Sequence, residues 1–583
     1  MTQSTSLFQG TRGNRDAKIL IVGEAYGETE RQENQPFVGA SGQLLTEMLL
    51  EAGISPQKCL FTNCINAKPF GNDMRNFLWQ NDSPSPWIKD TKPGERLMLG
   101  LHNLDTLIET IEPKLIITCG NWPTWWLTDK LETKTDKGYR IPFGIDTWRG
   151  SQLFTSESDF GRRAGIPVLP IWHPASVLRM YSNKVVCVQD LRRAEKFISG
   201  SMQTWADPTY RNFNLFPTAD EIVEWIEDVR KAPENPIIND LETYKGLIHI
   251  CGLADNRHSG IVIPFFDITS EGLKPTYSEE DFAKIYIALY NLFSDQRMRF
   301  VGQNYQYDMQ YIWYFFGVIP QVHWDTMIAQ HVMFPNLRKG LEFLAAMYCD
   351  HYVYWKDDRK ESLDNEDLKA GCAYNAEDLW RTWEIWFEQT TALRALGKEE
   401  RFAKRMKFQR AIVIMSNRGF RIDDDLRQRQ KMALMQYADH LISWLNSVIP
   451  NYIIPESKTP TPWYKSPKQK AIVLYDQLGF KEQRNMQGGR TTDKEALAKL
   501  AGKYPEYTAI FSALIVLNSI STIAGNFLSA KLDEDGRMRC TFNVAGPITN
   551  RLSSAESSFG SGTNLQNIMR PRGPLDMLDQ DLV

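Results

Sequence analysis

Apolar residues are laid out in three textures along the chain. Up to about residue 200, short continuous runs, KILIVGEA (18–25), KLIITCG (114–120) and IPVLPIWHP (166–174), alternate with stretches of helical period such as GQLLTEMLLEAG (42–53). Runs of that kind suit strands covered on both faces, so the pattern predicts an α/β/α sandwich over residues 1–200. The polar stretch SMQTWADPTYRNFNLFP (201–217) reads as a linker. Residues 218–397 open with PIINDLETYKGLIHICGLADNRHSGIVIPFF (236–266), three apolar runs broken by turns, which predicts an antiparallel meander followed by helices. From 398 to 583 the pattern is mostly helical, with Lys and Arg clustered as in KEERFAKRMKFQR (398–410).

Length and composition narrow the class. A chain of 583 residues is too long for one hydrophobic core, so an α/β multidomain protein is expected. With a net charge of −4, any binding of nucleic acid has to rely on local basic patches. The eight cysteines form no C-x-x-C pair, which argues against a disulfide scaffold or a closed zinc site. The first residues lack the apolar core of a signal peptide and no run of 18 apolar residues occurs, so a cytoplasmic protein with no membrane partner is expected.

Chemistry concentrates in the middle section. In NDLET (239–243), Asp240 and Glu242 are two apart on a predicted strand, so both project from one face. In VGQNYQYDMQYIWYFF (301–316), Asn304 and Asp308 stand four apart on the opening turn of a predicted helix; in AGCAYNAEDLWRTWEIW (370–386), Tyr374 and Asp378 repeat the spacing. Each acid lies in an apolar stretch, and buried carboxylates must find bases or hold cations. Hard divalent ions take oxygen ligands, and two of them about 3.5–4 Å apart clamp the attacking and leaving oxygens of a phosphodiester. That is the donor set of a nuclease. Asp325, in HWDTMIAQHV, is expected to cap a helix and is given no chemistry.

D-x-E, N-x-x-x-D and Y-x-x-x-D, in that order, resemble the three motifs of proofreading 3′–5′ exonucleases with a ribonuclease-H-like fold, over about residues 218–395. The resemblance implies that Asp240, Glu242, Asp308 and Asp378 bind two Mg²⁺ (or Mn²⁺) ions, that Tyr374 orients the attacking water and that Asn304 seats the substrate strand.

In the first section GEAYGETE (23–30) follows a predicted strand, which puts Gly23, Glu24 and Gly27 on a loop at the carboxyl edge of a sheet. With QPFVGASGQLL (35–45), FTNCINAKP (61–69), LIITCGNWPTWWL (115–127) and WHPASVLRM (172–180) it resembles the uracil-DNA glycosylase superfamily, over about residues 17–198. Such a pocket stacks a flipped base on an aromatic face, reads its edge with an amide and stabilises charge growing on the departing base. By that resemblance Phe37 is the stacking ring, Asn63 the reader, His173 the donor and Glu24 the residue nearest the water. Tyr26 replaces the family's usual proline, and Ala67 stands in the KCRPP-like site of the bacterial and archaeal branch, so no iron–sulfur cluster is expected.

Finally, SPKQKAIVLYDQLGF (466–480), RTTDKEALAKLAGKYP (490–505) and GPITNRLSSAESSFGSGTNLQNI (546–568) follow one another as in family A DNA polymerases. The resemblance implies a helical thumb, with Lys465, Lys468, Lys470, Arg490 and Lys494 near the duplex, and an incomplete palm. There Arg551, Ser553, Ser554, Gln566 and Asn567 would bind DNA through phosphates and minor-groove acceptors. The palm's D-Y-S-x-I-E and H-D-E type motifs do not occur, and Asp579 and Asp581 are given no role. The expectation is the N-terminal part of a family A DNA polymerase in replication, suggestive of a bacteriophage enzyme in the bacterial host cytoplasm. It would act as a 3′–5′ exonuclease on single-stranded 3′ ends and primer–template duplex, and would extend DNA only with a second polypeptide carrying palm and fingers. A base-excision repair enzyme and a non-catalytic DNA-binding subunit are the alternatives.

Overall fold

The computed structural model describes residues 8–80, 91–136, 138–207, 211–455, 461–485 and 488–567. The chain divides into two compact units, residues 1–406 and 407–583.

The first unit holds two six-stranded sheets. One orders β1 (Arg12–Gly13), β3 (Cys59–Ile65), β2 (Ile19–Ala25), β4 (Leu115–Cys119), β6 (Pro167–Ile171) and β5 (Leu153–Phe154). Its central strands β3, β2, β4 and β6 are parallel and both edges are antiparallel. The period of two along β2 sends Ile19 and Ile21 into one core with Leu45, Met48 and Leu49 of α1 (Ala40–Glu51). Leu20 and Val22 enter a second core on the other face, with Leu97, Leu101 and Leu104 of α2 (Glu95–Ile111). Two buried faces explain why the strand reads as an unbroken apolar run.

The other sheet orders β7 (Asn212–Asn214), β10 (Ser259–Pro264), β9 (Leu247–Ala254), β8 (Pro236–Tyr244), β11 (Arg299–Gly302) and β12 (Val322–Asp325). The expected meander is β8–β9–β10, antiparallel throughout, while β11 and β12 add in parallel. A long helix, counted below as α9, runs from Leu368 to Ala395 and packs across β8, β9 and β10.

The two sheets do not belong to independent cores. One continuous apolar cluster joins Leu191 and Ala194 of α4 (Lys184–Ser199), which follows α3 (Pro174–Arg179), to Phe343 and Leu344 of α8 (Leu341–Tyr348), and to Tyr352, Trp355 and Tyr374. Between the first sheet and the second, Met202 and Trp205 lie in that same cluster, and the Trp205 indole donates to Leu153 O at 2.8 Å. The stretch that reads as a polar linker therefore seals two apolar residues into the joint, because its few hydrophobic side chains gain more from burial than its polar ones lose. Three further helices, α5 (Glu279–Ser294), α6 (Gln306–Phe316) and α7 (Thr326–Met333), complete the second sheet's surroundings.

The second unit is built on α10 (Asp424–Val448), α11 (Lys494–Lys503) and α12 (Thr508–Ile523), with Leu445, Leu497, Leu500, Phe511 and Leu514 in its core. The segment Pro505–Leu528 is apolar enough by composition to cross a membrane, at a mean hydropathy of 1.7; Phe511, Leu514 and Leu517 use that character to fill the core. A small antiparallel pair, Thr541–Asn543 with Ser553–Ala555, brackets the GPITNRLSS segment and carries its last two residues, Ser553 and Ser554.

Candidate functional site

On β8 the residue at 241 points into the core, so Asp240 and Glu242 share the opposite face. α9 crosses above them with Asp378 one turn after Tyr374. Ligand oxygens of Asp240, Glu242 and Asp378 all lie within 4.8 Å of one another. Asp308, on α6, joins from the side: its Oδ1 accepts the backbone N–H of Leu241 at 2.9 Å, between the two strand acids.

Protein donors hold an oxygen of every acid. Asn375 Nδ2 donates to Asp240 Oδ2 at 2.8 Å, and Arg359 Nε lies 3.0 Å from Glu242 Oε2. Asp378 receives the Trp355 indole at 2.7 Å on Oδ1 and the Lys356 ammonium at 2.5 Å on Oδ2. Lys356 also donates to the Tyr374 hydroxyl at 2.7 Å.

The electrostatics are those of a cation site. Burial, then the neighbouring Asp378, Glu242 and Asp308 carboxylates, push Asp240 well above the usual carboxylate range. Burial likewise raises Asp308 and Asp378, and with Asp378 it raises Glu242 to about 7. Burial would discharge Lys356, but Asp378, Asp240 and Glu242 more than reverse this and keep it protonated. Three clustered acids with Asp308 beside them, against two basic side chains, disfavour full ionisation unless a cation joins them, and all-oxygen donors of this kind fit a hard divalent cation.

Asn304 is not on the helix. α6 begins at Gln306, and Asn304 precedes it in the left-handed region at φ 52°. The cause is Asp325: besides capping α7 through Met327 N and Ile328 N, this buried carboxylate accepts the backbone N–H groups of Asn304 (3.2 Å) and Tyr305 (2.9 Å). The chain is bent to reach it, and strain of this sort is characteristic of sites.

A second constellation lies at the carboxyl end of β2. Gly23 and Glu24 are strand residues rather than loop residues, with Gly23 paired to Asn63 on β3. A Cβ at Gly23 would stand 2.3 Å from Asn63 Oδ1 and 2.6 Å from Phe37 Cζ, so only glycine lets the amide and the ring face one another there. Phe37 itself is held at φ 56°, with Gly42 pressed against its carbonyl. Gly120 separates Glu24 from His173 in the same manner: a Cβ would meet Glu24 Oε1 at 2.5 Å and His173 Cβ at 3.3 Å. Burial raises Glu24 to about 7 although the N–H groups of Trp122 and Asn121 oppose it, and burial lowers His173 to about 4. His173 caps α3, its Nδ1 accepting Ala175 N–H at 3.2 Å, so the ring proton of the neutral imidazole resides on Nε2. The buried Glu30, whose Oε1 accepts Gly39 N–H at 2.8 Å, fixes the loop that carries Phe37.

In the second unit Arg551 and Gln566 are exposed, and Asn550 adopts φ 62°. Ser553 lies on the short strand with Gly546 against its hydroxyl. Ser554 points inward: its hydroxyl bonds Asn564 Oδ1 and accepts Gln566 N–H at 3.3 Å, so it shapes this loop instead of facing a partner. Asn567 ends the turn Leu565–Asn567. Two of the basic residues placed near a duplex are otherwise engaged: Arg490 pairs with Asp476 and Glu482, and the buried Lys470 donates to Asn518. A groove of about 830 Å³ nevertheless opens between Lys431, Lys465, Asn518 and Ser521. Ile568, Asp579 and Asp581 lie outside the described residues.

Comparison with known proteins agrees with this division. Residues 11–192 match the uracil DNA glycosylase superfamily, and residues 214–390 match the 3′–5′ exonuclease family of DNA polymerase A. The chain is 30% identical over 188 residues to the type-4 uracil-DNA glycosylase of Saccharolobus solfataricus, which is 32% of this chain and 74% of that protein. The corresponding Thermotoga maritima enzyme is also 30% identical over 188 residues, covering 80% of its length. The DNA polymerase I of Borreliella burgdorferi is 24% identical over 368 residues, 62% of this chain; the match spans 37% of that polymerase.

Proposed function

We propose, from the premise that the chain belongs through residues 11–192 to the uracil-DNA glycosylase superfamily and carries a 3′–5′ exonuclease domain over residues 214–390, that it removes nucleotides from DNA 3′ ends in the service of a family A polymerase. The observation that carries this is the meeting of Asp240, Glu242 and Asp378 within 4.8 Å, with Asp308 alongside.

Asp240, Glu242, Asp308 and Asp378 would hold two Mg²⁺ (or Mn²⁺) ions, which would supply Lewis acidity for phosphodiester cleavage. The chain's own residues do the rest. Leu241 N–H and Asn375 hold Asp308 and Asp240 in fixed rotamers. The Tyr374 hydroxyl, 2.7 Å from Lys356, orients the nucleophile, and Asn304 seats the strand entering the site. Exposed Arg551 and Gln566 engage phosphate and minor-groove acceptors of the primer–template. The test is shortening of a 5′-labelled single-stranded oligonucleotide in Mg²⁺. It is expected to vanish in Asp240→Ala and Asp378→Ala, and unchanged trimming in both variants overturns the reading.

A second reading is base excision in the first domain. It is favoured by the tautomer of His173, whose Nε2–H is free to donate to a departing base because Nδ1 is occupied by Ala175 N–H. Release of uracil from single-stranded DNA in EDTA tests it.

A further inference from the structure

The strap Cys349–Lys356 runs from α8 toward α9 without regular structure, and its polar groups are satisfied from the glycosylase-like domain. Arg193 of α4, itself buried, donates to Ala346 O at 2.9 Å, Cys349 O at 2.8 Å and Asp350 O at 3.0 Å. Gln152 grips Tyr352 reciprocally: its backbone N–H donates to Tyr352 O at 2.7 Å and its side-chain Oε1 accepts Tyr352 N–H at 2.8 Å. Ser151 Oγ accepts Tyr354 N–H at 3.3 Å. The next two residues are Trp355 and Lys356, both bonded to Asp378. A fixed chain of contacts therefore leads from the first domain to a metal ligand of the second.

We propose that the glycosylase-like domain is a working part of the exonuclease centre: Arg193 and Gln152 clamp the strap, and the strap delivers Lys356 as a positioning residue for Tyr374 and Asp378. The inference rests on the exonuclease reading above. An ammonium has donors only, so when Lys356 donates to the Tyr374 oxygen the phenolic proton is turned toward another acceptor, and the hydroxyl rotor is fixed. Without the clamp, eight residues of irregular chain would have buried carbonyls to satisfy elsewhere, and the ammonium would lose its seat.

The full chain is compared with Lys356→Met, Lys356→Arg, Gln152→Ala, Ser151→Ala and the double variant Gln152→Ala/Lys356→Met, each confirmed to melt cooperatively. Lys356→Met is expected to lower kcat for trimming by about 30-fold with KM within about twofold, and Lys356→Arg to restore most of it, as loss of an orienting contact does. Gln152→Ala is expected to lower kcat about fivefold and Ser151→Ala less, in the same direction. The double variant should be no slower than Lys356→Met alone, since Gln152 acts through Lys356. Losses that multiply in the double variant, or wild-type kcat in Gln152→Ala, overturn the proposal. Mn²⁺ binding followed by electron paramagnetic resonance separates this from the exonuclease reading. Should the parent chain fail to trim DNA at all, a threefold or larger shift of Mn²⁺ affinity in Gln152→Ala still upholds the clamp, and an unshifted affinity removes it.

Discussion

The two chemical centres of the first unit both rest on buried carboxylates at a sheet, and they use them in opposite ways. Around β8 four acids lie close together, each raised by burial and several by one another, and hydrogen-bond donors, Lys356 and Arg359 offset this only in part. At the end of β2 a single carboxylate, Glu24, faces a neutral imidazole across Gly120. Burial raises its proton affinity to near pH 7 against the opposing N–H groups of Trp122 and Asn121. The lesson is that neighbours decide whether a buried acid serves as a ligand or as an acid–base group.

The largest effect that would sharpen this contrast is a loss of trimming by about a thousandfold or more in Asp240→Ala or Asp378→Ala, measured on labelled single strands, with any EDTA-resistant base release left intact. Removing the cations with EDTA should reproduce that pattern in the parent. Next, His173→Ala should lower base release by roughly a hundredfold or more and leave trimming within about twofold, read by alkaline cleavage of abasic sites. Loss of both activities in either variant would break the separation between the centres. Asn375→Ala, which frees Asp240 Oδ2, should weaken Mn²⁺ binding about tenfold.

The pH dependence follows from the shifts. Base release should rise as pH passes about 7, where Glu24 ionises, with no inflection near 6.5, because burial has taken His173 down to about 4. The smallest effect is on stability. An acid whose folded-state pKa is raised carries no penalty below its unfolded value of 4.5, loses stability as pH rises toward 7, and bears the full cost of its buried charge above that. Glu24→Gln should therefore stabilise the chain at pH 8 by on the order of 2 kcal/mol, with no gain at pH 4, measured by thermal melts.

Much of the carboxylate cluster was legible in the chain. D-x-E on a strand and Y-x-x-x-D on a helix are local spacings, and both elements form where the periodicity puts them. Asn304 was placed on a helix because its spacing to Asp308 fits one; the backbone is drawn out of it by Asp325, whose second role needs a carboxylate 21 residues away in sequence. Lys356 and Arg359 were not singled out: nothing in YVYWKDDRK marks them, and only the fold turns them onto Asp378 and Glu242. Asn375 had one visible signal, its place beside Tyr374, and Glu30 had none beyond its motif. Met202 and Trp205 looked like linker residues for the same reason, since nothing in their neighbourhood announces the core they enter.

Sequence by itself determined the elements, the order of motifs and which side chains share a strand or helix face, because those depend on repeats of two and 3.6 residues. Tertiary structure alone decided which oxygens are held, which charges are cancelled and that two families of fold share one core. Those outcomes depend on desolvation and on distances of a few ångströms between residues far apart in the chain, which no local pattern encodes.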